Sequence, residues 1–467
     1  MKQTNFMKLF MEPRSIALVG VPRDTGQDAK NVLENLLTYG YKGRIYPVNP
    51  NCKKILDIET FCNVADLPET PDLAVIMTPQ HLVFPLVKDT LEKGIKALVV
   101  VAQGFSDSGE EGKLKQSQLV DMVHRAGARL VGPNSFGVAN AFLNLNTAFV
   151  LTEMERKGVG IICQTGFPFV GFPQMIILGK GLDLGNTGDI DFADGLEYFE
   201  NDEETRVIIL HIEGIKNGRR FMETARRVSR LKPVVALKTG WSKSGEETAL
   251  SHSGSLVGND DIYEAVFKQS GILRVQDTEE FIDVCRAFLA FPRLRGRRLA
   301  VLTMTMAGGT MAADACEKYN MRLASFTPET LNKLSAIAPP WLKFSNPLDS
   351  GAFYFSKTGP VETFRITMEA VLLDPQVDAL LIVIPALPFE QRIYAEIAFN
   401  LTSRYPDKPV TLWLYSSDKT GQVSSHFEST GRILNFGSID RAVRALSRLA
   451  DYSEYLDRGV QDGHTGC

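Results

Sequence analysis

No stretch of this 467-residue chain approaches the ~18 consecutive apolar residues that a membrane-crossing helix requires. Residues 1–10 likewise lack an apolar core of signal-peptide length. A soluble, cytoplasmic protein with no membrane partner is expected. Cysteine is sparse: six residues, at 52, 62, 163, 285, 316 and 467, with no CxxC pair and no repeated spacing to histidine. That pattern argues against a zinc site or a disulfide framework, and ordinary reduced thiols and no metal site are expected. Excess positive charge is missing too. A formal charge of −4 has the wrong sign for a chain that neutralises a phosphate backbone, so nucleic acid is not an expected partner. The densest basic run, Arg293-Leu294-Arg295-Gly296-Arg297-Arg298, reads as a solvated linker.

The length, with 44% hydrophobic residues, suffices for about three domains. From residue 14 to 140, short β-branched runs recur at 15–19, 44–48, 73–77, 97–101 and 129–131. Segments of helical periodicity separate them, such as Val32-Leu33 with Leu36-Leu37. This is the pattern of βαβ units on a parallel sheet, and it predicts a Rossmann-like first domain. A second series runs through 158–163, 207–212 and 234–237 and adds a helix over 260–268. A third runs through 299–304, 379–384 and 410–414. The expectation is an α/β protein: a Rossmann-like domain at 1–145, then flavodoxin-like domains at 146–294 and 295–467. The polar tail from residue 458 is expected to fray.

Ligands of parallel sheets bind beyond the carboxyl ends of the strands, so those ends carry the candidates. The first strand runs into Gly20-Val21-Pro22-Arg23 and, after Asp24-Thr25, Gly26, where a glycine lets backbone approach a pyrophosphate. A plain tight turn reads equally well there, and the dinucleotide pattern GxGxxG is absent. The other strand ends supply Asn49, Thr78-Pro79, Gln103-Gly104 and Asn134-Ser135. Such small and polar loops around one crevice suit a nucleotide-like ligand.

Of six histidines, His252 stands apart, in Ser251-His252-Ser253-Gly254-Ser255-Leu256-Val257-Gly258 just ahead of a helix that Asn259 or Asp260 can cap. Small neighbours leave room for a tetrahedral group on the ring. Gly254 and Ser255 offer an amide and a hydroxyl to a dianion, and an imidazole is a good covalent phosphoryl carrier. Such a ring is usually oriented through its other nitrogen by a carboxylate. Glu213 follows the run 207–212 and is a candidate for that role, or an ordinary surface glutamate. The turn Cys163-Gln164-Thr165-Gly166 is a second candidate anion site.

Taken together, Tyr46-Pro47-Val48-Asn49-Pro50, Gly132-Pro133-Asn134-Ser135, Leu184-Gly185-Asn186 with Asp191-Phe192-Ala193-Asp194, Glu213-Gly214-Ile215, Ser251-His252-Ser253-Gly254-Ser255-Leu256, Ala307-Gly308-Gly309 and Asn346-Pro347-Leu348-Asp349 resemble the α subunit, or α-like half, of the NDP-forming (ADP-forming) acyl-CoA synthetases, relatives of succinyl-CoA synthetase. The resemblance covers nearly the whole chain. It implies a CoA-binding Rossmann domain followed by two ligase-CoA domains. It also implies an ATP-grasp β subunit that holds ATP or ADP with Mg2+, in a hetero-oligomer such as α2β2. The implied chemistry interconverts acyl-CoA, phosphate and ADP with carboxylic acid, CoA and ATP, through an acyl phosphate and a phosphohistidine at His252 supported by Glu213. Gln164, Thr165, Gly166 and Asn186 join Gly254 and Ser255 at the phosphate and acyl site, and the strand-end residues of the first domain hold CoA. Two departures stand out. Gln164-Thr165-Gly166 runs into Phe167-Pro168-Phe169 instead of a serine-glycine loop, which points to altered acyl specificity, and the loop around Gly308-Gly309 lacks a following proline. Two other readings are weighed: a non-catalytic CoA-binding or regulatory protein, against which His252 and Glu213 speak, and an NAD-dependent dehydrogenase, against which the missing GxGxxG speaks.

Overall fold

The structure is a computed structural model that describes residues 3–26, 31–150, 152–166, 169, 179–245, 248, 258–291, 293–339, 342, 344–351, 358–386, 391–415, 420–429 and 431–464. The chain divides into two compact units, Met1–Gln276 and Asp277–Cys467.

The first unit holds two main sheets. Strands β1 (Ser15–Val19), β2 (Arg44–Val48), β5 (Leu73–Ile76), β6 (Ala97–Val100) and β7 (Arg129–Val131) form a parallel sheet in the order β2-β1-β5-β6-β7, and a small hairpin, β3 (Lys54–Ile55) with β4 (Ile58–Glu59), stands beside it. Every residue of β1, β5 and β6 is buried. That is the condition of a parallel strand covered by helices on both faces, and it explains why these strands read as unbroken apolar runs. Strand order reverses between β1 and β5, which opens a crevice at their carboxyl ends.

The second sheet collects β8 (Gly137–Asn140), β9 (Leu145–Asn146), β10 (Val159–Cys163), β11 (Lys180–Asp183), β12 (Val207–Ile212), β13 (Val234–Lys238) and β14 (Ile272–Val275) in the order β14-β13-β12-β10-β11-β8-β9. It is parallel from β14 to β11, whereas β8 and β9 are antiparallel additions. Strand β8 lies within the first domain as expected from sequence and β9 straddles its expected end at 145, yet both pair with the second sheet. Strand β11 escaped the sequence pattern because Lys-Gly-Leu-Asp does not look like a core strand. Lys180 is 1% exposed and is tolerated because Asp202 and Glu204 both approach its Nζ at 2.6 Å.

Polar clasps join the two sheets. Asp189, only 3% exposed at its side chain, accepts from Arg129 Nε at 2.9 and 3.0 Å and from the Leu130 amide at 2.8 Å. Asp194 caps its own helix start at the Asp191 amide and meets Arg220 at 2.7 Å and Arg129 at 3.3 Å. Arg129 closes the first sheet, so these pairs seat the helix Phe192–Glu200 against it.

The second unit has a parallel sheet built from β15 (Arg298–Thr303), β16 (Arg322–Leu323), β17 (Leu348–Asp349), β18 (Ala379–Pro385), β19 (Val410–Tyr415) and β20 (Ile433–Asn435), in the order β16-β15-β18-β19-β20 with β17 beside β15. Helix Thr278–Ala290 belongs to this unit, where Asp283 and Glu280 bind Arg441 and Arg448 of helix Ile439–His464 at 2.6 and 2.9 Å. The basic run at 293–298 is not a solvated linker. Arg297 is clamped by Asp451 and Glu454, both at 2.6 Å, Arg298 by Asp378 at 2.6 Å, and Arg293 by Asp457 at 2.5 Å. Sequence alone could not show this, because the acidic partners lie far along the chain.

Asp183, at the end of β11, is fully buried. Its carboxylate accepts from the Phe136 amide at 2.7 Å and the Gly185 amide at 3.4 Å, and the Cys163 thiol lies at 3.7 Å. Burial outweighs these donors, and with Glu213 nearby it pushes the Asp183 carboxyl up to about 7. An unfolded aspartate titrates near 3.9, so the folded state prefers the protonated form. The stability this contributes is complete below about pH 4 and is lost as pH rises through about 7, with a slope of up to about 1.4 kcal/mol per pH unit. Asp183→Asn should remove that slope. Unfolding midpoints of variant and wild type, measured from about pH 4 to about pH 8, should converge as pH rises or cross, and a constant difference would contradict the assignment.

Candidate functional site

The crevice at the β1/β5 switch is shaped by Gly20 and Thr78. Gly20 sits at φ +80, and a Cβ there would lie 2.2 Å from Thr78 Cγ2, so only glycine allows the two strand ends to approach. Among the described residues, Thr78 Oγ1 is buried with no hydrogen-bond partner. Two asparagines fix the loop after β1. Asn49 Nδ2 donates to the Val21 carbonyl at 2.9 Å. Asn31 Nδ2 donates to the carbonyls of Pro22 and Asp24, both at 3.0 Å, while its Oδ1 caps the helix Val32–Tyr39. Sequence reading missed Asn31, although an asparagine directly ahead of an apolar-periodic segment is a helix-cap signal. Arg23, Pro79 and Gln103 are exposed at the rim, and the Gly26 amide is taken by Glu34 at 2.8 Å.

The strand ends of β6, β7 and β11 meet in a hydrogen-bonded strut. The Gly104 amide donates to Asp107 at 2.8 Å, and Asn186 Nδ2 donates to Asp107 at 2.7 Å and to Gln116 at 3.2 Å. Asn134 Nδ2 donates to Asn186 Oδ1 at 3.3 Å. Asn134 and Asn186 therefore come together, each with its side chain engaged in protein contacts. Ser135 is buried, its hydroxyl bonded to the Asp183 carbonyl and accepting from the Gly137 amide at 2.8 Å.

In the second sheet the carboxyl ends of β10, β11 and β12 converge. Gln164, 6% exposed, accepts at Oε1 from the amides of Glu213 and Gly214 at 2.7 and 2.9 Å and donates from Nε2 to Thr187 Oγ1 at 3.1 Å. Its side chain thus ties two strand ends together, and in the turn Gln164-Thr165-Gly166 the Thr165 amide reaches the Cys163 sulfur. The next amide, Ile215, donates to the hydroxyl of Tyr263 at 3.0 Å, and Lys216 Nζ donates to the carbonyls of Asn186 and Thr187 at 3.1 and 2.6 Å. Burial lowers the Lys216 ammonium from its ordinary range. Among the described residues, Glu213 Oε2 is buried and has no hydrogen-bond partner. Burial, first of all, and then Asp183 raise the Cys163 thiol well above its usual range, so it stays protonated.

His252, Gly254 and Ser255, with Phe167 and Pro168, lie outside the described residues. The helix that follows His252 is described: it runs Asp260–Ser270, and Asn259 caps it by accepting from the Asp261 amide at 2.8 Å. Tyr263, in its first turns, is the residue that binds Ile215. Phe169 is fully buried, and its ring lies 6.4 Å from that of Phe136, which stacks on Phe149 at 4.7 Å. Gly166 is the contact point of this cluster, since a Cβ there would lie 2.1 Å from the Phe136 ring. Among the described residues, no group of three or more His, Cys, Asp or Glu could hold a metal ion, and no helix is long and apolar enough to cross a membrane.

Comparison with known proteins agrees with this layout. A CoA binding domain model matches residues 14–141, and a model of the succinyl-CoA ligase like flavodoxin domain matches residues 158–288. The α subunit of acetate–CoA ligase [ADP-forming] II from Pyrococcus furiosus is 38% identical over 80% of this chain and 81% of its own length. Acetate–CoA ligase [ADP-forming] II of Archaeoglobus fulgidus is 34% identical over 79% of this chain, which spans only 56% of that longer protein. An acetyl-coenzyme A synthetase of Candidatus Korarchaeum cryptofilum, solved in complex with phosphate and ADP, superposes with a TM-score of 0.87 at 31% identity, covering 98% of this chain and 99% of that one. With the CoA-type crevice, the paired strand ends and these relatives in place, the chain belongs to the ADP-forming acyl-CoA synthetases, on the side of their α subunits.

Proposed function

We propose that this chain is the CoA-handling, phosphohistidine-bearing α subunit of an ADP-forming acyl-CoA synthetase, and that an ATP-grasp β subunit completes it in a hetero-oligomer such as α2β2. Glu213 carries the proposal. It stands at the end of β12 with its backbone fixed by Gln164, and one carboxylate oxygen is buried without a donor among the described residues. A buried acceptor in that state costs free energy unless a donor arrives. The ring N–H of His252 is the donor the reading assigns to it.

The chemistry follows in three displacements. A phosphate oxygen attacks the thioester carbonyl, the C–S bond breaks, and CoA leaves as the thiol after taking the phosphate proton. A ring nitrogen of His252 then attacks phosphorus and the carboxylate departs with the bridging oxygen. Finally a terminal oxygen of ADP, with Mg2+ on the partner subunit, attacks the same phosphorus, and the P–N bond breaks to give ATP. The negatively charged Glu213 favours the imidazolium that each P–N bond requires and fixes the ring's tautomer. Backbone amides of Thr165 and Gly166, with Gly254 and Ser255, are the proposed cradle for the phosphoryl group. The β1/β5 crevice, with Gly20, Thr78, Asn49 and the rim residues Arg23 and Gln103, is the proposed CoA site.

Incubation of the chain and its β subunit with labelled ATP and Mg2+ should give acid-labile, base-stable label, and His252→Ala should abolish both label and acyl-CoA formation. Activity that persists in that variant would remove the residue from the pathway. Glu213→Gln keeps the shape but loses the charge. Phosphoryl transfer should slow by about 100-fold while CoA binding stays within about twofold, and the reverse pattern would place Glu213 in the CoA site.

A further inference from the structure

Gln164 falls in the turn that sequence reading assigns to phosphate and acyl binding, yet its carboxamide faces elsewhere. We infer that Gln164 is a positioning residue for Glu213: its buried carboxamide oxygen holds the Glu213 and Gly214 amides and thereby aims the Glu213 carboxylate, rather than contacting the phosphoryl group. The inference rests on the role of Glu213 proposed above.

Three consecutive amides follow strand β12, at Glu213, Gly214 and Ile215. At the end of a strand such groups have left the ladder and need other partners. Here each meets a side chain: Gln164 Oε1 takes the first two at 2.7 and 2.9 Å, and the Tyr263 hydroxyl takes the third at 3.0 Å. Two facing N–H donors allow only the oxygen of Gln164 at that place, so the orientation of its amide is set by chemistry. The nitrogen is then directed at Thr187 Oγ1, 3.1 Å away, and Thr187 is itself held through its carbonyl by Lys216 Nζ at 2.6 Å. Both ends of the carboxamide are engaged and Gln164 is 6% exposed, so its one remaining N–H belongs to a buried side chain already held by three protein groups.

The consequence falls on Glu213. With its own amide and the next one pinned, the peptide on either side of its Cα cannot rotate, and the side chain leaves the strand end in one direction. That matters for a carboxylate whose Oε2 is buried and, among the described residues, unpartnered. A displacement of about 1 Å in a group of this kind costs about 100-fold in rate.

The two roles for Gln164 make opposite predictions for charge. As a positioning residue, Gln164→Glu should be tolerated, because a carboxylate oxygen accepts from the two amides at least as well, and the Thr187 hydroxyl can turn to donate to it. As an anion ligand, the same change would place a negative charge against the phosphate and be worse than Gln164→Met. With the β subunit present, Gln164→Met should lower the rate of His252 phosphorylation by about 10- to 100-fold. The KM for phosphate and for CoA should remain within about twofold, and Gln164→Glu should recover most of the rate. A raised KM for phosphate, with Gln164→Glu the poorer variant, would overturn the inference. Hydrogen exchange on the chain alone separates this from failure of the phosphohistidine reading. The Glu213 and Gly214 amides should be protected in wild type and Gln164→Glu and should exchange at least about tenfold faster in Gln164→Met. Equal exchange in all three would refute the bridge whatever the reaction turns out to be.

Discussion

A single buried carboxamide holds the ends of two adjacent strands in register beyond the point where the ladder stops. Strands β10 and β12 are neighbours, and their last residues, Cys163 and Ile212, lead into a turn on one side and into Glu213 on the other. Without Gln164 the two loops would be joined only by the strands beneath them. With it, the turn after β10 and the Glu213 carboxylate are one rigid piece, and Thr187 and Lys216 extend that piece to the end of β11. Pre-placed polar groups of this kind need no reorganisation when charge develops, and the cost of ordering them is met in folding.

The same logic extends across the first unit. Asn186 belongs to the second sheet, but its amide is spent on Asp107 and Gln116, and Asp107 also receives the Gly104 amide at the end of β6. Asp183 reaches the Phe136 amide, and Asp189 reaches Leu130 and Arg129. Asp183 ends β11, and Asn186 and Asp189 lie in the loop that follows it. One short polar stretch, 183–194, therefore fastens the two sheets, with carboxylates and amides doing at the strand ends what apolar packing does in the layers below.

Much of the fold was legible because parallel strands buried on both faces leave apolar runs that no surface segment shares. β1, β6, β12, β15, β18 and β19 were all located to within a residue or so from such runs. The strands that escaped include β11, which buries Lys180 and Asp183, the two-residue β3, β4, β9, β16 and β17, and the three- or four-residue β8, β14 and β20, all too short or too polar to stand out as apolar runs. For the candidate site, residue types and strand ends sufficed to name the loops, but not the partners that each side chain takes. Gln164, Asn186 and Ser135 look like ligand residues in one dimension because they are polar and sit at strand ends, but whether a side chain turns toward a ligand or toward a neighbouring backbone is fixed by partners 23 to 79 positions away. Asn31 shows the converse, a cap that also tethers the loop ahead of it through two carbonyls.

The close seat of Gly166 against the ring of Phe136 has a further consequence. Phe136 directly follows the loop that leaves the first sheet, whereas Gly166 ends the turn after β10, so the missing methylene at one position is the space filled by the aromatic at the other. Neither can drift alone during divergence: a side chain at 166 demands a smaller neighbour at 136, which would unstack Phe149 and loosen Phe169. The packing beneath the turn Gln164-Thr165-Gly166 thus behaves as a unit in which no ring or glycine can be exchanged without moving the others.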